Sequence, residues 1–195
     1  MRKATITRKT RETDISLELA LDGAGITQLD TGIGFFDHML DSLARFGFLS
    51  LNISCKGDLK VDGHHTVEDV GICLGQAIRE ALSDKQGIRR VGQALIPMDE
   101  SLAQVAMDLC GRSHLTFEAD FKAPKCGDYD TQLTLEFFRA VAQHAGMTLH
   151  MIVLHGQNAH HMTEALFKAF GKALDEAVSI DPRIRGIQTT KGALA

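Results

Sequence analysis

The sequence predicts an α+β fold made of one structural unit written twice, on three observations. HHTVE at 64–68 returns as HHMTE at 160–164, so four of the nine histidines fall in two HHxxE clusters. The flanking segments align in the same order: ETDISLELALDG (12–23) lies on ESLAQVAMDLCG (100–111), and HMLDSLARFGF (38–48) on EFFRAVAQHAG (136–146). The offsets of 88, 98 and 96 positions differ by loop lengths only, which marks an internal repeat. Thirdly, alternating segments run in pairs ahead of amphipathic ones, which places a small sheet in each half with helices packed on one face. The chain reads as a single domain of two repeats, about 1–88 and 89–195.

Each unit reads β-β-α-β-α. Residues 3–8 and 14–21 alternate as strands around a turn at 9–13. Residues 34–46 follow as a helix, with Phe35, Met39, Leu43 and Phe46 at helical spacing on one face. A strand at 48–56 comes next, then a helix at 65–83 that turns Val67, Val70, Leu74, Ile78, Ala81 and Leu82 inward. The second unit gives strands near 91–98 and 101–109, an added strand near 113–120, a helix at 131–145, a strand at 148–154 and a helix at 161–178. Met162, Leu166, Ala169, Phe170, Ala173 and Ala177 form the apolar stripe of that last helix.

Composition is ordinary for a chain with a real core: 44% hydrophobic and 24% charged residues. A net charge of −4 offers no basic field to nucleic acid. No apolar run reaches the ~20 residues of a membrane span. The N-terminal MRKATITRKTRET is charged from its second residue and lacks an apolar leader core, so a cytoplasmic protein is expected. Cys55, Cys73, Cys110 and Cys126 contain no CxxC pair and are expected to be reduced fillers of a semi-buried kind.

The paired histidines are not explained by core formation. Imidazole nitrogens and carboxylate oxygens are both ligands for divalent transition metals. At a helix start, His64 or His65 can act with Glu68, and His160 or His161 with Glu164, because residues three or four apart share a face. Adjacent histidines point about 100° apart on a helix. One ion is therefore poorly placed to take both, and two ions, each using one histidine of each pair, fit better. Nitrogen and oxygen ligands without a thiolate favour manganese, iron, cobalt, nickel or zinc and single out none. Two more ligands are nominated by the repeat: His38 aligns with Glu136, each on the first helix of its unit.

These segments resemble a known family. VDGHHTVEDVGICL and GQNAHHMTEALFK are similar to the two signature segments of imidazoleglycerol-phosphate dehydratases. So are RKTRET (8–13), DTGIGFFDHML (30–40), IPMDESLAQVAMDLCGR (96–112) and TTKGAL (189–194), in the right order over nearly the whole chain. The resemblance implies loss of water from imidazole glycerol phosphate to give imidazole acetol phosphate, in histidine biosynthesis, with two manganese ions and no redox cofactor. It implies that both metals hold the substrate ring as imidazolate, that the electron-rich ring expels the side-chain hydroxyl to a diazafulvene-like species, and that loss of the neighbouring C–H proton gives an enol. It implies Glu12 as the acid/base glutamate, and Arg90, Arg112, Lys168, Thr190 and Lys191 as holders of the substrate phosphate. It also implies a homo-oligomeric shell of 24 subunits with sites at subunit contacts.

The sequence departs from the family's usual pattern at Gly63, where a second Asp is common, at Glu136, where His is common, and at Phe46, where His is frequent. Two other readings of the same residues are a dimetal hydrolase of phosphate esters and a non-catalytic metal-storage protein. The hydrolase would release inorganic phosphate, and the storage protein would be indifferent to Glu12.

Overall fold

The structure, a computed structural model, describes residues 2–191. The first half contains β1 (Lys3–Lys9), β2 (Thr13–Ala20), β3 (Thr27–Asp30), α1 (Gly34–Phe46), β4 (Ser50–Gly57) and α2 (His64–Leu82). The second contains β5 (Val91–Met98), β6 (Ser101–Asp108), β7 (His114–Glu118), a small hairpin of β8 (Lys125–Cys126) and β9 (Tyr129–Asp130), α3 (Leu133–Ala145), β10 (Thr148–His155) and α4 (Ala159–Val178). The sheet orders correspond: β1-β2-β4-β3 in the first half and β5-β6-β10-β7 in the second. In each, the first three strands of the order are antiparallel and the edge strand is parallel to its neighbour.

Each unit is therefore β-β-β-α-β-α. β3 corrects the reading of the first half: its four residues, TQLD, are too short and too exposed to show a strand period, and the strand forms because the α1 crossover lays it beside β4. The strand near 113–120 is thus no addition but the counterpart of β3. The β8–β9 hairpin was likewise invisible in the pattern. On α1, Phe36 is fully buried, while Phe35 is half-buried and rests against Tyr129 and His160.

Strand alternation gives each sheet one buried face, made of Ile15, Leu17 and Leu19 in β2 and Ala103, Val105 and Met107 in β6. α1 and α2 cover the first sheet, and α3 and α4 the second. The helices also meet across the halves, α1 on α4 and α2 on α3, so they fill the space between the two sheets around one continuous apolar core. The four cysteines are free thiols, and burial pushes Cys55 up to about 11 and Cys73 up to about 12. Among the described residues no helix is long and apolar enough to cross a membrane.

The two helix crossings depend on glycines at matching positions of the halves. A Cβ on Gly75 of α2 would lie 2.7 Å from the Val141 carbonyl oxygen of α3. A Cβ on Gly171 of α4 would overlap the Leu43 carbonyl oxygen of α1. Both obstacles are backbone and cannot swing aside.

Gly171→Ala is expected to lower stability by about 1–3 kcal/mol through overpacking, seen as a lower urea midpoint at unchanged m-value. Gly34→Ala, where a Cβ meets nothing within 4 Å, should leave the midpoint unchanged or slightly higher.

Candidate functional site

The site begins at the N-terminus of α4. The Asn158 side-chain oxygen accepts from the backbone N–H of His160 (2.9 Å) and of His161 (3.4 Å), so the first turn is capped and its side chains are fixed in direction. One turn apart, His160 Nε2 lies 3.2 Å from Glu164 Oε2. The α1–α4 crossing brings His38 Nε2 to 3.5 Å from the same oxygen. His38, His160 and Glu164 each offer one ligand atom, and these atoms all lie within 4.8 Å of one another. That donor set suits a divalent transition ion.

Glu164 is only 6% exposed. Burial alone would raise its pKa. The hydrogen bond and charge of Lys168, whose Nζ lies 2.7 Å from Oε1, together with His38 and His160, outweigh burial and lower it. Lys168 therefore lies where its spacing from Glu164 places it, one turn along the same face. Its Nζ also sits 5.1 Å from the Phe46 ring centroid and 3.4 Å from Met98 Sδ.

The matching turn of α2 is looser. His64 Nε2 and Glu68 Oε2 are 3.9 Å apart and both residues are half-buried. Glu136, aligned with His38, is not brought to them within the chain. Its carboxylate accepts from Arg139, one turn along α3. Among the described residues, the one group of three or more convergent His, Cys, Asp or Glu ligands is that of His38, His160 and Glu164.

The second histidine of each pair has a different neighbour. His65 Nδ1 lies 3.0 Å from Asp58 Oδ2, and its Nε2 faces Glu12 Oε1 at 3.8 Å. His161 Nδ1 lies 2.7 Å from Glu100 Oε2, and its Nε2 is 3.8 Å from Asp99 Oδ2. The Asp58 hydrogen bond raises the His65 pKa, and the Glu100 hydrogen bond raises that of His161. Glu100 is itself held far below the usual carboxylate range by the backbone N–H of Asn158, then by His161 and the N–H of Gln157. Sequence reasoning missed Asp58 and Glu100. For Glu100 a signal existed, since the repeat lays it on Glu12.

Glu12 stands on the β1–β2 turn. Thr10 Oγ1 accepts from the N–H of Glu12 and of Thr13, both at 3.0 Å, and closes the turn. On either side, Thr13 Oγ1 and Arg8 Nε donate to the buried carboxylate of Asp69 on α2. The Glu12 side chain stays 53% exposed. Of the residues assigned to the phosphate, Arg90 donates to both Asp108 carboxylate oxygens at 2.6 and 2.8 Å and to the Gln188 carbonyl at 2.7 Å. Thr190 and Lys191 lie exposed just beyond Gln188, and Arg112 is exposed after β6.

The family model for imidazoleglycerol-phosphate dehydratase matches residues 31–174. The chain belongs to the imidazoleglycerol-phosphate dehydratase family. The dehydratase of Acetivibrio thermocellus is 55% identical over 193 residues, 99% of either chain. That of Lachnoclostridium phytofermentans is 58% identical over 99% of this chain and 98% of its own. Among solved structures, the dehydratase of Staphylococcus aureus superposes with a TM-score of 0.84 at 39% identity, covering 92% of this chain and 99% of its own. The dehydratase of Pyrococcus furiosus gives 0.84 at 34%, covering 97% and 100%.

Two of the positions singled out in the sequence, 63 and 46, have local consequences here. At Gly63, the N-cap of α2, a Cβ would lie 3.0 Å from Ile33 Cδ1, and the turn into the helix is held by Asp62, which accepts from the N–H of His64 at 2.8 Å. Phe46 gives Lys168 an aromatic face, which favours the cation without competing for its hydrogen bonds.

Lys168→Met should leave Glu164 buried without its cation, costing the metal-free protein about 1–3 kcal/mol at pH 7. In the wild type the lowered pKa of Glu164 stabilises the fold above the ordinary value of 4.5, and that gain is lost as pH falls through the lower folded value. In the variant burial, which raises the pKa, loses its main counterweight, so the ionised form is less favoured at neutral pH and protonation relieves the loss. Melting temperatures of the two should differ most at pH 7 and converge on acidification below 4.5.

Proposed function

We propose that the chain dehydrates imidazole glycerol phosphate to imidazole acetol phosphate at a centre holding two divalent ions, manganese first. The reading rests on membership of the dehydratase family over nearly the whole length and on one geometric observation, the convergence of His38, His160 and Glu164. These three would hold one ion. His64 and Glu68 begin the other, with Glu136 as a further ligand once it leaves Arg139. His65 and His161 hold their Nε2 atoms beside Glu12 and Asp99, and each would serve an ion of a neighbouring subunit. Divalent ions held by these residues would supply Lewis-acid stabilisation of the deprotonated substrate ring.

The chain's own groups then manage protons and position. Glu12, exposed and turned toward the His65 side of the site, takes the proton from the carbon next to the one that loses hydroxide. That proton and the hydroxide leave as water, and the resulting enol becomes the ketone. Lys168, Arg90, Arg112, Thr190 and Lys191 supply cationic and hydrogen-bonding groups for the phosphate. Arg90 carries the tail residues with it through its bond to Gln188. Among the described residues the second histidines join no group of three convergent ligands, which supports a homo-oligomeric working enzyme, a 24-subunit shell by family likeness, in the cytoplasm. The two halves are read as a tandem duplication within one domain.

Substrate turnover should generate the absorbance of the enolised ketone with no release of inorganic phosphate; phosphate release without the ketone would overturn the dehydratase reading. Glu12→Gln should lower kcat by about 10²–10⁴-fold while elemental analysis still finds two ions per chain. Chelation should convert the assembly to smaller species on size exclusion, and added manganese should restore it. An elution profile indifferent to chelator counts against metal-built contacts.

A further inference from the structure

An imidazole ligates through the nitrogen that lacks the proton, so a histidine held in one tautomer offers one defined ligand atom. Free imidazole side chains prefer the proton on Nε2, which is the wrong form for ligation through that atom. A carboxylate placed on Nδ1 reverses the preference and fixes the ring plane.

Both second histidines have such a carboxylate, but from different places. Asp58 puts its two oxygens 3.0 and 3.2 Å from His65 Nδ1, from a turn closed by the Val61 N–H to the Asp58 carbonyl at 2.8 Å. That turn lies in the loop 58–63 between β4 and α2. The corresponding loop between β10 and α4 is shorter, 156–158, and reads Gly-Gln-Asn, with no acid to offer. There the carboxylate comes from the neighbouring hairpin. Glu100, just before β6, reaches His161 Nδ1 at 2.7 Å and is braced by the N–H groups of Gln157 (3.1 Å) and Asn158 (2.8 Å) and by Ser101 Oγ (3.0 Å).

Glu100 holds the place in the second half that Glu12 holds in the first, each one residue ahead of the second strand of its sheet. Glu12 meets the opposite side of its histidine, 3.8 Å from Nε2, and carries no such brace.

We propose that Asp58 and Glu100 are positioning residues that keep the proton of His65 and of His161 on Nδ1 and present Nε2 as the metal-binding atom, and that Asp58, by taking this task in the first half, leaves Glu12 free for proton transfer. The inference rests on the reading of His65 and His161 as ligands, and the test separates the two. Metal-free protein is titrated with Mn²⁺ alone, free ion being read from its solution electron paramagnetic resonance signal. His161→Ala and His65→Ala should each weaken one class of site; if neither does, the ligand reading itself fails. Glu100→Ala should weaken manganese binding about 10–100-fold, and Glu100→Gln, whose carbonyl oxygen still accepts from Nδ1, should recover most of that loss. The double variant Glu100→Ala/His161→Ala should bind no more weakly than His161→Ala. Asp58→Ala should behave in the same way with His65→Ala. A Glu100→Ala variant with wild-type affinity, or one whose loss adds in full to that of His161→Ala, would overturn the proposal, the second outcome reducing Glu100 to a brace of the α4 start.

Discussion

The contact between α1 and α4 is the constraint on which the site hangs. Two points define how these helices lie: the Leu43 backbone against Gly171, and His38 against Glu164. A helix is stiff over so short a span, so the close backbone approach at one point sets the side-chain separation at the other. Burying Glu164 at this crossing would be costly for a lone carboxylate. Lys168 and the two imidazoles offset the cost, and the result is a charged group held in one direction at the floor of an otherwise exposed histidine cluster.

Much of the framework was legible because helical and strand periods survive in the apolar positions. Val67, Val70, Leu74 and Ile78 are all buried on α2, as their spacing demands. What escaped was structure made by tertiary placement: β3 exists because β4 is beside it, and the β8–β9 hairpin is two residues a side. At the site, His160 and Glu164 were readable from a spacing of one helical turn, and His38 from the repeat. The pairing of Glu136 with Arg139 and of Arg90 with Asp108 was not, since a sequence names charges but not which of several partners each will take. Glu100 was visible as the partner of Glu12 in the alignment. Its anchoring was hidden, because the donors that brace it come from a loop more than fifty positions away.

The halves share a frame and differ in side-chain commitments. His38 faces the α4 carboxylate, whereas Glu136 turns along its own helix. Arg90, at the start of the second half, ties Asp108 to the backbone of Gln188 and so holds the last described residues against the junction between the halves. The tail is also fastened through Gly87 N–H to the Gly186 carbonyl and through the Ile88–Ile180 bridge.

Asp69 has a further effect. It sits next to Glu68 on α2 and grips Arg8 and Thr13 on both sides of the Glu12 turn. The hairpin that carries Glu12 and the helix that carries His65 are thereby clamped into one rigid body. The backbone that carries Glu12 is thereby aligned with the His65 helix once, when the chain folds, and the ordering entropy of that alignment need not be supplied again.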